Sequence, residues 1–358
     1  VAELRLPHRR HELAQEDTPD RLLVRLAANA AAIAQAGAAL ARAARSGEAL
    51  APGAACLLDH LYLVDEHVRA ARHLLPPARS RALPRLAGGA PRVYQLALEI
   101  VSHGDGRLEQ ESLARFVAAY QEGAPLVLDE LWAMPVMLRL ALIDNLRRIA
   151  ARLDRQRVQR ALAGGWAERM IATAGQRPGD LVLLVADMAR AVQLDAAFVA
   201  ELARRLQGQD GALAQVIDWT GARLADEGSN IEAQLRLDDA GQAADGASVA
   251  NSIASLRLVA AIDWGEFVET MSAVEHTLRL DPCGAYARMD AATREHYRQA
   301  VARLARLSLH SETEVAAEAL ALAGAVPEHE AEAEGDARRR HIGHYLVGDG
   351  QPALRARL

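Results

Sequence analysis

The chain has 358 residues, 51% hydrophobic but only 4% aromatic, and its 41 basic residues are all Arg, set against 47 acidic ones for a formal net charge of −6. That balance gives no general attraction to nucleic acid, and an Arg bias is what a GC-rich genome produces. The length exceeds what one ordinary helical core needs, and the apolar residues are mainly Ala, Leu and Val, so the expected fold is all-α: an array of helical hairpins in two packed subdomains.

Taken in chain order, the first apolar window is Leu26 to Ala41. It is mostly Ala and carries Asn29, Gln35 and Gly37, which reads as a helix too short and too weakly apolar for a membrane span. The N-terminus shows no charged, apolar and cleavage-site succession of the kind that directs export. Pro76-Pro77 to Pro91 and Gly104-Asp105-Gly106 read as joints. The strongest periodicity follows: in Leu128, Leu131, Pro135, Leu138, Leu142, Leu146 and Ile149 every step is three or four residues, which paints one face of a central helix. Pro135 is expected to kink that helix or to open a new one.

Gly164-Gly165, Pro178-Gly179 and Asp245-Gly246 read as further joints, and a subdomain boundary is expected between residues 160 and 180. "DLVLLVADM", Asp180 to Met188, reads as a buried helix because its flanks are helical, with a strand as the other reading. Ser229 with Glu232, Asp263 with Glu266, and Ser311 with Glu314 fit capping boxes. After Asp263, the residues Phe267, Met271, Val274 and Leu278 form a helical stripe running into Asp281-Pro282. Proline ends it, Gly284 supplies a left-handed reversal, Asp290 caps the next helix, and Tyr297, Val301 and Leu304 supply that helix's buried face. Acidic Glu328 to Glu334 followed by Arg338 to Arg340 read as a solvated linker. The expected divisions are 1–165, an N-terminal helical subdomain; 166–326, a C-terminal one; and 327–358, a charged linker and tail.

No catalytic or metal set stands out. Cys56 and Cys283 lie far apart without CxxC spacing, so neither a disulfide framework nor a zinc site is indicated, and a reducing compartment fits. His341 and His344 have ligand spacing but no visible third donor. Cys283 has no His that sequence assigns to it, so a small structural residue is the expectation. His60 and His67 read as partly exposed helix residues. The glycine pairs match no phosphate-binding fingerprint, and Asp238-Asp239 has no strand behind it. Trp132, Trp166, Trp219 and Trp264 lie in apolar helical surroundings and read as core before sugar platforms.

Three blocks resemble the N-terminal soluble region of bacterial cyclic β-1,2-glucan synthases. They are Leu57 to Ala150, containing "LWAMP"; Ser252 to Arg306, containing "YARMDAATREHY"; and the closing "HIGHYLVGDGQPALRARL". Together they cover roughly half the chain, while Gly164 to Gly246 aligns poorly. The resemblance implies a parent protein of the bacterial inner membrane that polymerises glucose from UDP-glucose with a divalent metal. The metal-binding carboxylates and Gln-x-x-Arg-Trp motif of its transferase part are absent here. This chain is then expected to be a non-catalytic accessory domain without a cofactor of its own or a membrane span. It would sit on the cytoplasmic face, since Arg338 to Arg340, Arg355 and Arg357 precede the implied membrane helices. Its partners would be the remaining transferase and membrane domains. The alternative is a module binding β-1,2-glucan or a primer through Trp132, Arg257, Trp264, Arg288, Asp290 and Arg294; of these, Arg288, Asp290 and Arg294 lie on or beside an exposed connector.

Overall fold

The computed structural model describes residues 21–209, 211–326 and 338–358, and among them the fold is all-α, without strands. In chain order the helices are α1 (Leu22–Arg45), α2 (Pro52–Asp59), α3 (Leu61–Leu74), α4 (Pro77–Ala82), α5 (Arg92–His103), α6 (Gln110–Gln121), α7 (Leu128–Gln176), α8 (Leu181–Ala191) and α9 (Ala196–Leu206). They continue with α10 (Gly211–Asp226), α11 (Ile231–Ala261), α12 (Trp264–Met271), α13 (Ala273–Leu278), α14 (Ala291–Arg306), α15 (Glu312–Gly324), α16 (Ile342–Leu346) and α17 (Gln351–Arg355).

Helix α7 is the spine. Its 49 residues extend over about 74 Å at 1.5 Å per residue. Its first half is apolar on all sides, so it must be enclosed. Helices α1, α3, α5, α6, α11 and α12 enclose it, and Met134, Met137, Leu138, Leu142, Ile143 and Leu146 lose all solvent contact. Farther along, Ala163, Ala167 and Met170 join a second apolar cluster with Phe198, Leu202 and Val216 from α9 and α10. A third cluster is built from α13 to α17, with Tyr286, Val301, Val315, Ala319 and Leu346 at its centre. The stretch 160–180 thus holds the second half of α7 and a short 3-10 turn, Pro178–Asp180. Residues 342–354 bury Ile342, Leu346 and Leu354 in the third cluster. The acidic part of the expected linker, Glu328 to Glu334, lies outside the described residues.

Several local readings change. Helix α7 continues through Pro135 instead of starting anew there, and the Pro135 carbonyl accepts from the Arg139 guanidinium at 3.1 Å. It also runs through Gly164-Gly165, because Gly164 lies against the Arg205 guanidinium, 3.2 Å from where a Cβ would stand. Asp245-Gly246 lies inside α11 for a similar reason: Gly246 and Gly53 let α11 and α2 touch backbone to backbone, a Cβ on Gly53 meeting the Gly246 Cα at 3.1 Å. Gly53→Ala is therefore expected to lose about 1 to 3 kcal/mol of stability through overpacking, read as a lowered urea midpoint, whereas Gly241→Ala on the open face of α11 should not.

"DLVLLVADM" is the helix expected, but on the surface: Leu181 and Met188 are buried, while Val182 and Leu183 are 69% and 67% exposed. The Phe267 to Leu278 stripe is split into α12 and α13 at Ser272, whose hydroxyl caps α13. Asn230, one residue after Ser229, caps α11, while Asp263, Asp290 and Ser311 cap as read, Ser311 in a full capping box with Glu314. Helix α1, which contains the Ala-rich window, is by length and composition long and apolar enough to cross a membrane. Its Leu22, Leu26, Ile33 and Leu40 face is buried in the first cluster.

Candidate functional site

The joint between the first and third clusters holds the densest buried polar chemistry. Ser272 opens α13, so Glu275 falls in its first turn and points inward beside Val274 and Leu278. Its carboxylate has no solvent exposure and accepts from Tyr286 Oη at 2.6 Å, Arg279 Nε at 2.8 Å and the Arg298 guanidinium. Burial works to raise this carboxyl, but those hydrogen bonds and the Arg298 charge overcome it and hold it below the usual range. The same bond to a carboxylate, added to burial, pushes the Tyr286 phenol far above its ordinary value. Arg298, 2% exposed, also meets Glu295 at 2.9 Å, and Arg294 clamps Glu269 of α12 with contacts of 3.0 and 2.8 Å. Trp132 of α7 completes the seam by donating its indole N–H to Glu295 at 3.2 Å.

Two further contacts tie α7 to the third cluster. Arg306 pairs with Asp129, and Glu312 accepts from the Leu128 backbone N–H at 2.8 Å, satisfying an orphan donor at the start of α7. Burial, with Asp129 and Glu130 close by, raises the Glu312 carboxyl to about 7 against the pull of the Leu128 bond and Arg306. A carboxyl raised in the folded state holds its proton there after the unfolded chain has released it. Stability from this group is therefore greatest below the ordinary carboxylate range and falls as pH rises toward 7. Glu312→Gln keeps the acceptor for Leu128 and is expected to flatten the stability profile between about pH 5 and 7.5, by on the order of 2 kcal/mol, in urea unfolding followed across that range.

A second polar centre closes the loop after α13 onto the segment before α16. Asp281, 5% exposed, accepts from the backbone N–H groups of Ala285 and Tyr286 at 3.1 and 3.2 Å and of Ile342 at 3.1 Å. The same Oδ2 meets Cys283 Sγ at 3.1 Å and His341 Nδ1 at 2.9 Å. Burial alone would raise this carboxyl; the bonds from His341, Cys283 and the Ile342 and Tyr286 amides bring it down to about 2. The Cys283 thiol moves the other way, raised by burial and by its bond to that carboxylate, so it is not an activated nucleophile. Tyr297 Oη lies 3.2 Å from His341 Nε2, and a Cβ on Gly343 would run into both groups. Glycine is what admits this packing. His344 takes no part; its ring lies against Gly350.

The structure distributes the sequence-proposed binding set unevenly. Trp132 and Arg294 belong to the seam just described. Trp264 packs edge-on against Phe267 and donates to the Val259 carbonyl at 3.0 Å, half-buried on the first cluster. Asp290 is exposed and committed to capping, accepting from Thr293 N–H at 2.9 Å, which lowers its carboxyl. Arg288 is exposed beside the Cys283 carbonyl, and Arg257 is exposed on α11. The six therefore do not converge on one cavity. His67 is buried, not partly exposed: Arg139 donates to its Nδ1 at 3.2 Å, and burial lowers its pKa, with Arg139 adding to the effect. Asp238 is engaged by Arg160 at 2.7 Å and by Gln242 at 2.7 Å on helical backbone. That donor set does not fit the divalent metal of a processive transferase.

Sequence reasoning missed Glu275, Arg298, and the meeting of Asp281 and Cys283 with His341. One signal was available: Arg294, Arg298 and Val301 share a helical face, so a charge stands on the buried stripe of α14. Its partner, 23 positions earlier, was not visible locally.

No protein-family profile matches the chain. It is 34% identical over 318 residues, 87% of its length, to the cyclic β-(1,2)-glucan synthase NdvB of Rhizobium meliloti (strain 1021), and spans only 11% of that protein. The extended match takes in more than the three blocks that carry the resemblance, and the all-α fold agrees with it. This chain is thus homologous to one segment of a cyclic β-(1,2)-glucan synthase.

Proposed function

We propose that the chain is a non-catalytic accessory domain of a cyclic β-(1,2)-glucan synthase, a helical scaffold that positions or regulates the part of the enzyme that polymerises glucose. The observation that carries this reading is the match itself, which extends over 87% of this chain and 11% of the relative. Most of the synthase therefore lies in sequence unlike this one, and that remainder is the natural partner. The commitment of the buried polar groups supports the same reading. Glu275, Arg298 and Glu130 are spent on holding helices together, with charge-assisted bonds satisfied inside the fold.

The glucan-binding alternative draws less support. Both of its leading tryptophans are half-buried on the first cluster and turn their N–H groups into the protein, so neither offers a free ring in a groove. As the resemblance implies, the parent would use UDP-glucose at the inner membrane, and this domain would face the cytoplasm. Incubating the purified chain with UDP-glucose and Mg²⁺ tests the proposal. No transfer of labelled glucose is expected, and formation of any glucan by the isolated chain would overturn the assignment.

A further inference from the structure

We propose that Asp281, Cys283 and His341 form a binding site for a single zinc-class divalent cation, pinning the loop after α13 to the segment before α16. These residues offer one oxygen, one sulfur and one nitrogen donor, all within 4.8 Å of one another. This is the mixed set preferred by a borderline-soft ion of tetrahedral habit. The closest separations are 3.1 Å from Cys283 Sγ and 2.9 Å from His341 Nδ1 to the same oxygen, Asp281 Oδ2. Donors bound to zinc at its usual bond lengths stand about 3.3 to 3.7 Å apart. The two contacts to Asp281 Oδ2 need to lengthen by roughly half an ångström, and Cys283 Sγ and His341 Nδ1, which lie within 4.8 Å, come to the same spacing by side-chain rotation.

The surroundings are those of a supported site. Metal-bound imidazoles direct their second nitrogen to a fixed partner, and ligating carboxylates are themselves hydrogen-bonded. Here Tyr297 Oη stands 3.2 Å from His341 Nε2, and the N–H groups of Ala285, Tyr286 and Ile342 hold the Asp281 carboxylate in place. Gly284, at a φ of +63°, lets the loop turn back so that Cys283 and the two amides reach the same carboxylate. Access is open on one side, since Cys283 is half-buried and the His341 ring is 19% exposed. Three protein donors leave a fourth position for water.

Proton balance is straightforward. Cys283 releases its thiol proton to solvent when sulfur takes the cation. The proton on His341 Nδ1, which faces the Asp281 carboxylate, moves to Nε2, and the Nε2–H then donates a hydrogen bond to the Tyr297 oxygen. The ion then links two segments 58 residues apart, and it does so where the third cluster receives α16.

The test uses the full chain freed of metal by chelator and titrated with Co²⁺. A thiolate-to-cobalt charge-transfer band saturating at one equivalent, displaced by Zn²⁺, is the expected result. Cys283→Ser should abolish the band, His341→Gln should weaken binding at least tenfold, and Cys56→Ser should leave the spectrum unchanged. Cys56 is the fair control because it too has an imidazole nitrogen nearby, His60 Nδ1 at 3.9 Å. The absence of a charge-transfer band in the unmodified chain would overturn the proposal, as would a band that survives Cys283→Ser.

Discussion

Replacing Glu275 by Ala is expected to cost the fold about 3 to 5 kcal/mol, the range for removing one partner of a buried ion pair. The reason lies in what the substitution leaves behind. Arg298 is 2% exposed and Glu275 has no exposure, so the guanidinium has little water to replace the lost carboxylate. Tyr286 Oη loses its acceptor at the same time, and a buried hydroxyl without a partner carries a further cost. Glu295, 2.9 Å from Arg298, remains as partial compensation, which places the expected loss toward the lower end. Urea unfolding measures the loss, and amide exchange should show it concentrated in α13 to α15. Pairing Glu275→Ala with Arg298→Met is expected to recover much of the stability, because an apolar pair of similar volume replaces a buried ion pair at little cost. Equal losses in the single and double variants would mean that backbone disruption, not the stranded charge, sets the effect.

A second loss of similar size, about 3 to 5 kcal/mol, is expected from Glu130→Ala at the start of α7. Glu130 has no exposure and takes both Nε and Nη2 of Arg92, itself 6% exposed, the former at 2.9 Å. Its Oε2 also accepts the Val127 N–H at 3.1 Å, so the same carboxylate caps its own helix. Removing it strands a guanidinium and an amide donor together; the Pro125 carbonyl, 3.0 Å from Arg92 Nη2, and the Tyr120 hydroxyl remain to Arg92 as partial compensation. The lesion lies in the first cluster, more than 100 positions from Glu275 in sequence. Lost protection should therefore appear first in α5 and the opening turns of α7. A uniform loss across α14 to α17 instead would show that the clusters unfold as one unit.

What the sequence made legible was local. The Asp281-Pro282-Cys283-Gly284 stretch was read as a helical connector, and it is one: α13 ends at Leu278, Gly284 takes the left-handed conformation, and Asp290 caps α14. Each feature is decided within a few residues by proline, glycine or a capping side chain. The stripe from Leu128 to Ile149 was legible for the same reason, as a run of steps of three and four. Glycine misled where tertiary packing decided. A glycine inside a helix costs only about 1 kcal/mol relative to alanine, and the close fit of Gly164 to Arg205 and of Gly246 to Gly53 offsets that loss. The polar centres were illegible because their partners are distant. Glu275 meets Arg298 across 23 positions and Asp281 meets His341 across 60. A charge on a buried stripe announces that a partner exists without naming it.

Calorimetric titration of the chain with UDP-glucose and with linear and cyclic β-1,2-glucans tests the accessory-domain account most directly. No saturable heat is expected with any of the three, since the indole N–H groups of Trp132 and Trp264 are bonded internally and both rings pack on the first cluster. Saturable heat with a glucan, lost on Trp132→Ala or Trp264→Ala while the helical content is retained, would contradict it and make this domain a glucan-binding module.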